Sequence, residues 1–149
     1  MGIEKDIQQH HFQSESQKAM VNLIYTYHWV TEKIKTLLAQ DGITLQQFNI
    51  LRILRGSDPQ PLSTLTIRER MLDKMSDTSR IVDRLVLKGW ANKRTCSNDK
   101  RLVDVSITKE GKRVLEKMDK RMEEMNAVLS KLSSSDLKRL NELLDHIRS

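Results

Sequence analysis

Ser76, Asp77, Ser79, Arg80 and Arg84 are residue types that hydrogen-bond to the edges of base pairs. An arginine can bind guanine O6 and N7 with two parallel bonds, a serine hydroxyl donates or accepts, and an aspartate accepts from a cytosine amino group. On a helix Asp77, Arg80 and Arg84 stand at i, i+3 and i+7 and share a stripe, with Ser76 and Ser79 beside its N-terminal end. The bland alternative is a solvated face on which Asp77 and Asp83 pair with Arg80. A second set follows in Lys93, Lys100 and Arg101, with Asp99 placed two residues before Arg101 so that its carboxylate can orient the guanidinium. An arginine so held on a thin ribbon can enter a minor groove, whose negative potential attracts it.

The elements that must position these groups are legible around them. Thr78, Ile81, Val82 and Leu85 fall at helical spacing, Ser76 is the expected N-cap and Gly89 closes the helix. The pattern then changes to period two, since Val103, Val105 and Ile107 alternate with Asp104 and Ser106. Ala91 to Thr95 is the partner strand, which makes Ser97 to Lys100 the tip of a hairpin carrying Lys93, Arg94, Lys100 and Arg101. A helix with its back in a core and its polar N-terminal end exposed, followed by a basic ribbon, has the geometry that enters a DNA groove.

Together these pieces resemble the winged helix-turn-helix of the multiple-antibiotic-resistance-regulator (MarR) family. The residues that carry the resemblance are Ser76 to Arg80, Asp83 to Leu85, Lys88 with Gly89, Asp99 to Arg101, and Ile107 to Gly111. The middle third matches by motif and the flanking helices by pattern, while Ile67-Arg68 stands where the family prefers Leu-Ala. The resemblance implies a mainly α fold with a small β-hairpin wing, a winged helix-turn-helix lobe over 44–108, and N- and C-terminal dimerisation helices over 1–40 and 109–149. It implies a homodimeric, sequence-specific DNA-binding transcription regulator, expected to be a repressor acting on a palindromic operator. It also implies a small aromatic or amphipathic effector held between the dimer helices and the lobe; Tyr25, Tyr27, His28 and Trp29 are the candidates for that cleft, or else core or interface residues.

The rest of the chain reads as helices. Ile3 to about Gln40 carries an apolar stripe of Leu23, Ile24, Tyr27, Thr31, Ile34 and Leu38, ended by Asp41-Gly42. Thr44 and Gln47 form a capping box before Phe48, Leu51 and Leu54, and Gly56 to Pro61 is a turn. Leu62 to Leu72 is the first helix of the helix-turn-helix, with Leu65, Ile67 and Met71 expected inside. Thr108 caps a long helix that carries Val114, Met118, Met122, Met125, Leu129 and Leu132, with a heptad seam from Met118 onward. Ser133 to Ser135 interrupts it and Asp136 begins a last helix with Leu137, Leu140, Leu144 and Ile147 on one side. Apolar seams at both ends of the chain argue for a dimer, the alternative being that the two ends pack on each other.

Composition narrows the function classes. The 149 residues suit one domain, with 26 Lys and Arg against 20 Asp and Glu. Between Arg68 and Arg101 ten basic residues face five acidic ones, so +5 of the chain's formal +6 lies there, the footprint expected for a phosphate backbone. A lone cysteine allows no internal disulfide, and no run approaches the roughly 20 apolar residues of a membrane span. There is no secretory leader pattern, and Asp6 stands where a myristoylation signal needs Ser or Thr, so a cytoplasmic protein is expected. His10 and His11 lack the spacing of metal ligands, and Trp90 reads as an anchor between helix and hairpin rather than a stacking platform. Cys96, near Lys93 and Arg94, is either a sensor thiol or incidental. With no glycine-rich phosphate loop and no zinc-type cluster, neither an enzyme nor a cofactor is expected. The alternative function is a dimeric winged-helix module that binds protein, which acidic Asp77 and Asp83 on the recognition face keep open.

Overall fold

The computed structural model describes residues 2–95, 98 and 103–149. It is mainly helical, in the order α1 (Ile3–Asp6), α2 (Glu15–Ala39), α3 (Leu45–Ser57), β1 (Leu62–Ser63), α4 (Thr64–Arg70), α5 (Thr78–Leu87), β2 (Ala91–Thr95), β3 (Val103–Ile107), α6 (Lys109–Asp119), α7 (Met122–Asn126), a 3-10 turn (Ala127–Leu129) and α8 (Ser134–Arg148). The three strands form an antiparallel sheet in the order β1-β3-β2.

One core serves α3, α4, α5, the sheet and α6. Ile50, Leu51, Ile67, Leu85, Val105 and Leu115 are each 0% exposed, and burying such a side chain is worth about 1.5–3 kcal/mol. The local chemistry that builds these elements is explicit. Thr44 Oγ1 accepts from the Gln47 amide at 3.1 Å while Gln47 Oε1 accepts from the Thr44 amide at 3.2 Å, the expected capping box. The hairpin has the expected strands, in the register Ala91 to Ile107 and Thr95 to Val103.

Several expectations are corrected. The first helix does not run from Ile3 to Gln40: it breaks over Ile7 to Ser14, where Gln8 takes a positive φ of 56° and Ser14 caps α2 by accepting from the Gln17 amide. His10 and His11 lie in that break. Helix α3 continues through Gly56 to Ser57, so the turn starts later than Gly56. Leu62 and Ser63 form a strand against Val105 and Asp104, and α4 ends at Arg70 rather than Leu72. Ile67 and Met71 are buried as expected, but Leu65 is exposed. The long C-terminal helix is also broken: α6 ends at Asp119, α7 at Asn126, and Met118 belongs to the lobe's core instead of a heptad seam. Helix α8 starts at Ser134 because Ser133 and Asp136 form a capping box.

Candidate nucleic-acid interface

Helix α5 is held from within and open on its other side. Thr78, Val82 and Leu85 are buried, whereas Ser79, Arg80, Asp83, Arg84 and Leu87 are exposed. Its cap is Asp77, not the expected Ser76: the carboxylate accepts from the Arg80 amide at 3.3 Å. The Ser76 hydroxyl is instead buried without a hydrogen-bond partner, as is that of Thr78. Capping satisfies one of the four amides that a helix start leaves open. It also turns the Asp77 carboxylate back onto the helix.

The C-terminal end is fixed just as locally. The Trp90 amide donates to Leu85 O at 3.0 Å and the Gly89 amide to Val86 O at 3.0 Å, a Schellman motif with Gly89 at φ 76°. The same turn docks the wing on α6. Thr108 caps α6 by accepting from the Gly111 amide at 3.0 Å, and its hydroxyl donates to Gly89 O at 2.7 Å. A Cβ at Gly111 would stand 2.2 Å from Trp90 O, so the glycine permits this approach. Trp90 packs on the core as an anchor.

On β2 only Ala91 is buried, so Asn92, Lys93, Arg94 and Thr95 face outward. Lys93 and α5 meet directly, with Lys93 Nζ 2.6 Å from Asp83 Oδ1. Asp83 thus pairs with the ribbon, not with Arg80 as the bland alternative supposed. Both partners are exposed, so the pair orients Lys93 more than it stabilises the fold. No ion pair of Arg80 or Arg84 occurs among the described residues. Asp99, Lys100, Arg101 and Cys96 lie outside the described residues.

A shallow groove beside the N-terminal end of α5 brings Thr64 and Arg68 of α4 to Ser79. Arg68 was not among the sequence candidates, although its place beside inward-facing Ile67 puts it on the outer side of α4.

The four cleft candidates on α2 do not converge on one cavity. Tyr27 lines a groove of about 340 Å³ with Ile34, Lys35, Leu45, Met71 and Lys74, between α2 and the lobe. Tyr25, His28 and Trp29 line a separate depression with Lys33, whose Nζ lies 5.8 Å from the Trp29 ring, and Tyr27 and His28 share a third with Leu144 and Ile147 of α8. A larger apolar groove of about 820 Å³ is lined by Phe48 and Ile53 of α3, Met122 and Met125 of α7, and Leu137 of α8. No helix among the described residues is long and apolar enough to cross a membrane.

Comparison with known proteins bears on this arrangement. Residues 43–103 match the sequence model of the MarR family. Among solved structures, a MarR transcription factor from Planctomyces limnophilus is 26% identical, with 91% of this chain and 98% of that one covered and a TM-score of 0.70. A mutant MarR from E. coli complexed with operator DNA is 24% identical over 90% of this chain and 99% of that one, TM-score 0.74. Bordetella bronchiseptica BpsR, whose DNA binding is regulated by 6-hydroxynicotinic acid, is 18% identical over 85% and 96%, TM-score 0.76, a likeness of fold. No curated protein matches the chain. Residues 43–103 are therefore similar in sequence to the MarR family, in a chain that has the winged-helix fold of MarR transcription regulators.

Proposed function

We propose that the chain is a homodimeric regulator that binds double-stranded DNA, each copy laying α5 in a major groove and the β2–β3 wing in the neighbouring minor groove. The observation that carries this is the outward face of α5: Ser79, Arg80 and Arg84 are exposed along a helix whose other side is locked in the core and whose two ends are capped. Ser79, Arg80 and Arg84 read bases, with Asp77 holding the helix start. Lys93 and Arg94 face outward on the wing, and Lys100 and Arg101 complete its basic end, with Asp99 orienting Arg101. Ser76 is set aside as a direct contact because its hydroxyl is buried.

The dimer half of the proposal rests on the ends of the chain. Met20, Leu23, Ile24, Tyr27, Leu143 and Ile147 are all exposed on α2 and α8. Apolar faces of this extent are what a second copy covers in a two-fold assembly. The domain division follows similar lines, with the expected lobe over 44–108 extended through α6, whose Leu115 and Met118 lie in its core, and the dimer arms on either side. Two such copies would act as a repressor at a palindromic operator. A small aromatic or amphipathic effector that fits the Tyr27 groove would act by favouring one spacing of the two α5 helices over another.

A protein-binding module without DNA binding is less well supported. The two acidic residues that favoured it are occupied, Asp77 in capping α5 and Asp83 in pairing with Lys93. The test is a pair of substitutions read by fluorescence anisotropy on a selected duplex and on random duplex. Arg80→Ala should lose about 1–3 kcal/mol of discrimination, while Arg101→Ala weakens both duplexes alike and lowers the salt slope by about one. Equal losses on both duplexes for both variants would contradict the assignment.

A further inference from the structure

Lys88 belongs to the Lys-Gly pair that closes α5, and its charge contributes to the basic middle of the chain, yet its ammonium is turned toward protein. Lys88 Nζ donates to Gly42 O at 2.7 Å and to Gln47 Oε1 at 2.9 Å, with the Trp90 ring 4.5 Å away. Gly42 ends the corner that joins α2 to α3 and takes φ 66°. A second cation reaches the same corner from the other end of the chain. Arg121, at the break between α6 and α7, donates to Asp41 Oδ2 at 2.6 Å, to Gln40 Oε1 at 2.7 Å and to Leu37 O at 3.2 Å.

Leu37 O is one of the four carbonyls that the end of α2 leaves without an intrahelical partner, and this end is also the negative pole of the helix. Two cations from different parts of the fold therefore meet the α2–α3 corner from opposite sides, Arg121 of the C-terminal arm at the end of α2 and Lys88 of the recognition helix at Gly42 and the first turn of α3. We propose that the corner over residues 37–42 is the joint that sets the tilt of α5 against the arms, with Lys88 as its positioning residue on the lobe side and Arg121 on the arm side. This rests on the DNA-reading function proposed above and adds how the spacing of the two recognition helices is held. A dimer binds two half-sites at once only while both lobes keep the right tilt, so a loosened joint lowers the fraction of competent dimers and leaves each lobe's own reading intact.

The test uses the full chain and a duplex that the wild type selects from a random-sequence pool. Lys88→Met keeps the aliphatic stem over Trp90 and leaves the Thr44–Gln47 capping box intact. If only a tenth of the dimers remain competent, its affinity for the two-half-site duplex falls about tenfold. The preference for the selected spacing over a duplex with an inserted base pair shrinks, and affinity for a single half-site stays unchanged. Equal loss on half-site and full site with a salt slope lower by about one marks a phosphate contact and overturns the joint. No change on either duplex also overturns it. Lys88→Gln, whose amide falls short of Gly42 O, is read in the same way should Lys88→Met fail to fold.

Failure of the wild type to bind any duplex sinks the DNA reading, and the joint is then decided without DNA. Nitroxides at Glu32→Cys and Ser79→Cys in a Cys96→Ser chain, diluted with unlabelled chain to one labelled copy per assembly, report the tilt as a distance distribution. Lys88→Met should broaden it, and an unchanged distribution rejects the proposal.

Discussion

The lobe and the arms are both assembled from amphipathic helices, but they dispose of their apolar faces differently. In the lobe the inward residues of α3, α4, α5 and α6 meet one another and the sheet, and Leu51, Ile67, Leu85 and Leu115 lose all contact with water. In the arms the stripes have little to meet: Leu38 is the only buried residue of α2, and α8 has none. The comparison teaches that a periodic apolar stripe says a face will be covered but not by what. The lobe's faces are covered by its own chain, whereas those of α2 and α8 meet only along a shallow depression and stay largely exposed.

That contrast can be broken in order of expected effect. Leu85→Ala removes a side chain that is 0% exposed, and should destabilise the lobe by about 2–5 kcal/mol in urea or thermal unfolding. A smaller loss would mean that α5 is held less firmly than its caps and burial indicate. Ile24→Asp should act oppositely, leaving the unfolding of the lobe almost unchanged while sedimentation shows dimer dissociation raised by more than about a hundredfold, because it places an unpaired charge in the covered face. Unchanged association would remove α2 from the dimer interface.

Gly111→Ala tests the seam where wing, recognition helix and α6 meet. Its Cβ would approach Trp90 O and Ile107 Cγ1 at 2.2 and 2.8 Å, so a loss of about 1–3 kcal/mol is expected from the forced backbone shift. The smallest effect concerns Asp119, whose carboxyl is held below its ordinary range first by hydrogen bonds from Arg55 and then by that charge, against the opposing effect of burial. A depressed acid contributes stability at neutral pH and loses it as the pH falls through the folded value. The thermal stability lost in Arg55→Met, under about 1 kcal/mol for so exposed a pair, should therefore shrink as the pH drops below about 3.9, the unfolded aspartate value. A difference that stays constant across that window would assign the effect to packing.

What could be read from the sequence divides along the range of the interactions involved. The capping box of Thr44 and Gln47, the Gly89 stop, the inward stripe of α5 and both strands of the hairpin depend on neighbours a few residues away, and the structure has them where expected. The two-residue strand β1 has no periodicity to detect, since only its pairing with β3 makes it a strand. The break at Arg121 contains no Gly or Pro, and there the guanidinium is engaged with Asp41, far away in sequence. The break before α2 did leave a local sign, because Ser14 and Gln17 stand at capping spacing inside what otherwise reads as one long helix.

In the candidate site the exposed face of α5 was legible because it is the complement of the buried stripe. The swap of cap from Ser76 to Asp77 was not, as both are good N-caps and only the packing of the preceding turn, which buries the Ser76 hydroxyl, separates them. The inward turn of Lys88 was hidden for the same reason. A basic residue near a basic surface reads as part of it until its acceptors, Gly42 O and Gln47 Oε1, are seen.

The central claim is that two copies of this chain grip one duplex through α5 and the wing. Sedimentation of the wild-type chain with a duplex chosen from a random pool, repeated over a series of salt concentrations, tests it most directly. Two chains per duplex, with affinity falling linearly in log salt, is the predicted result; chains that sediment apart from every duplex at low salt would contradict it.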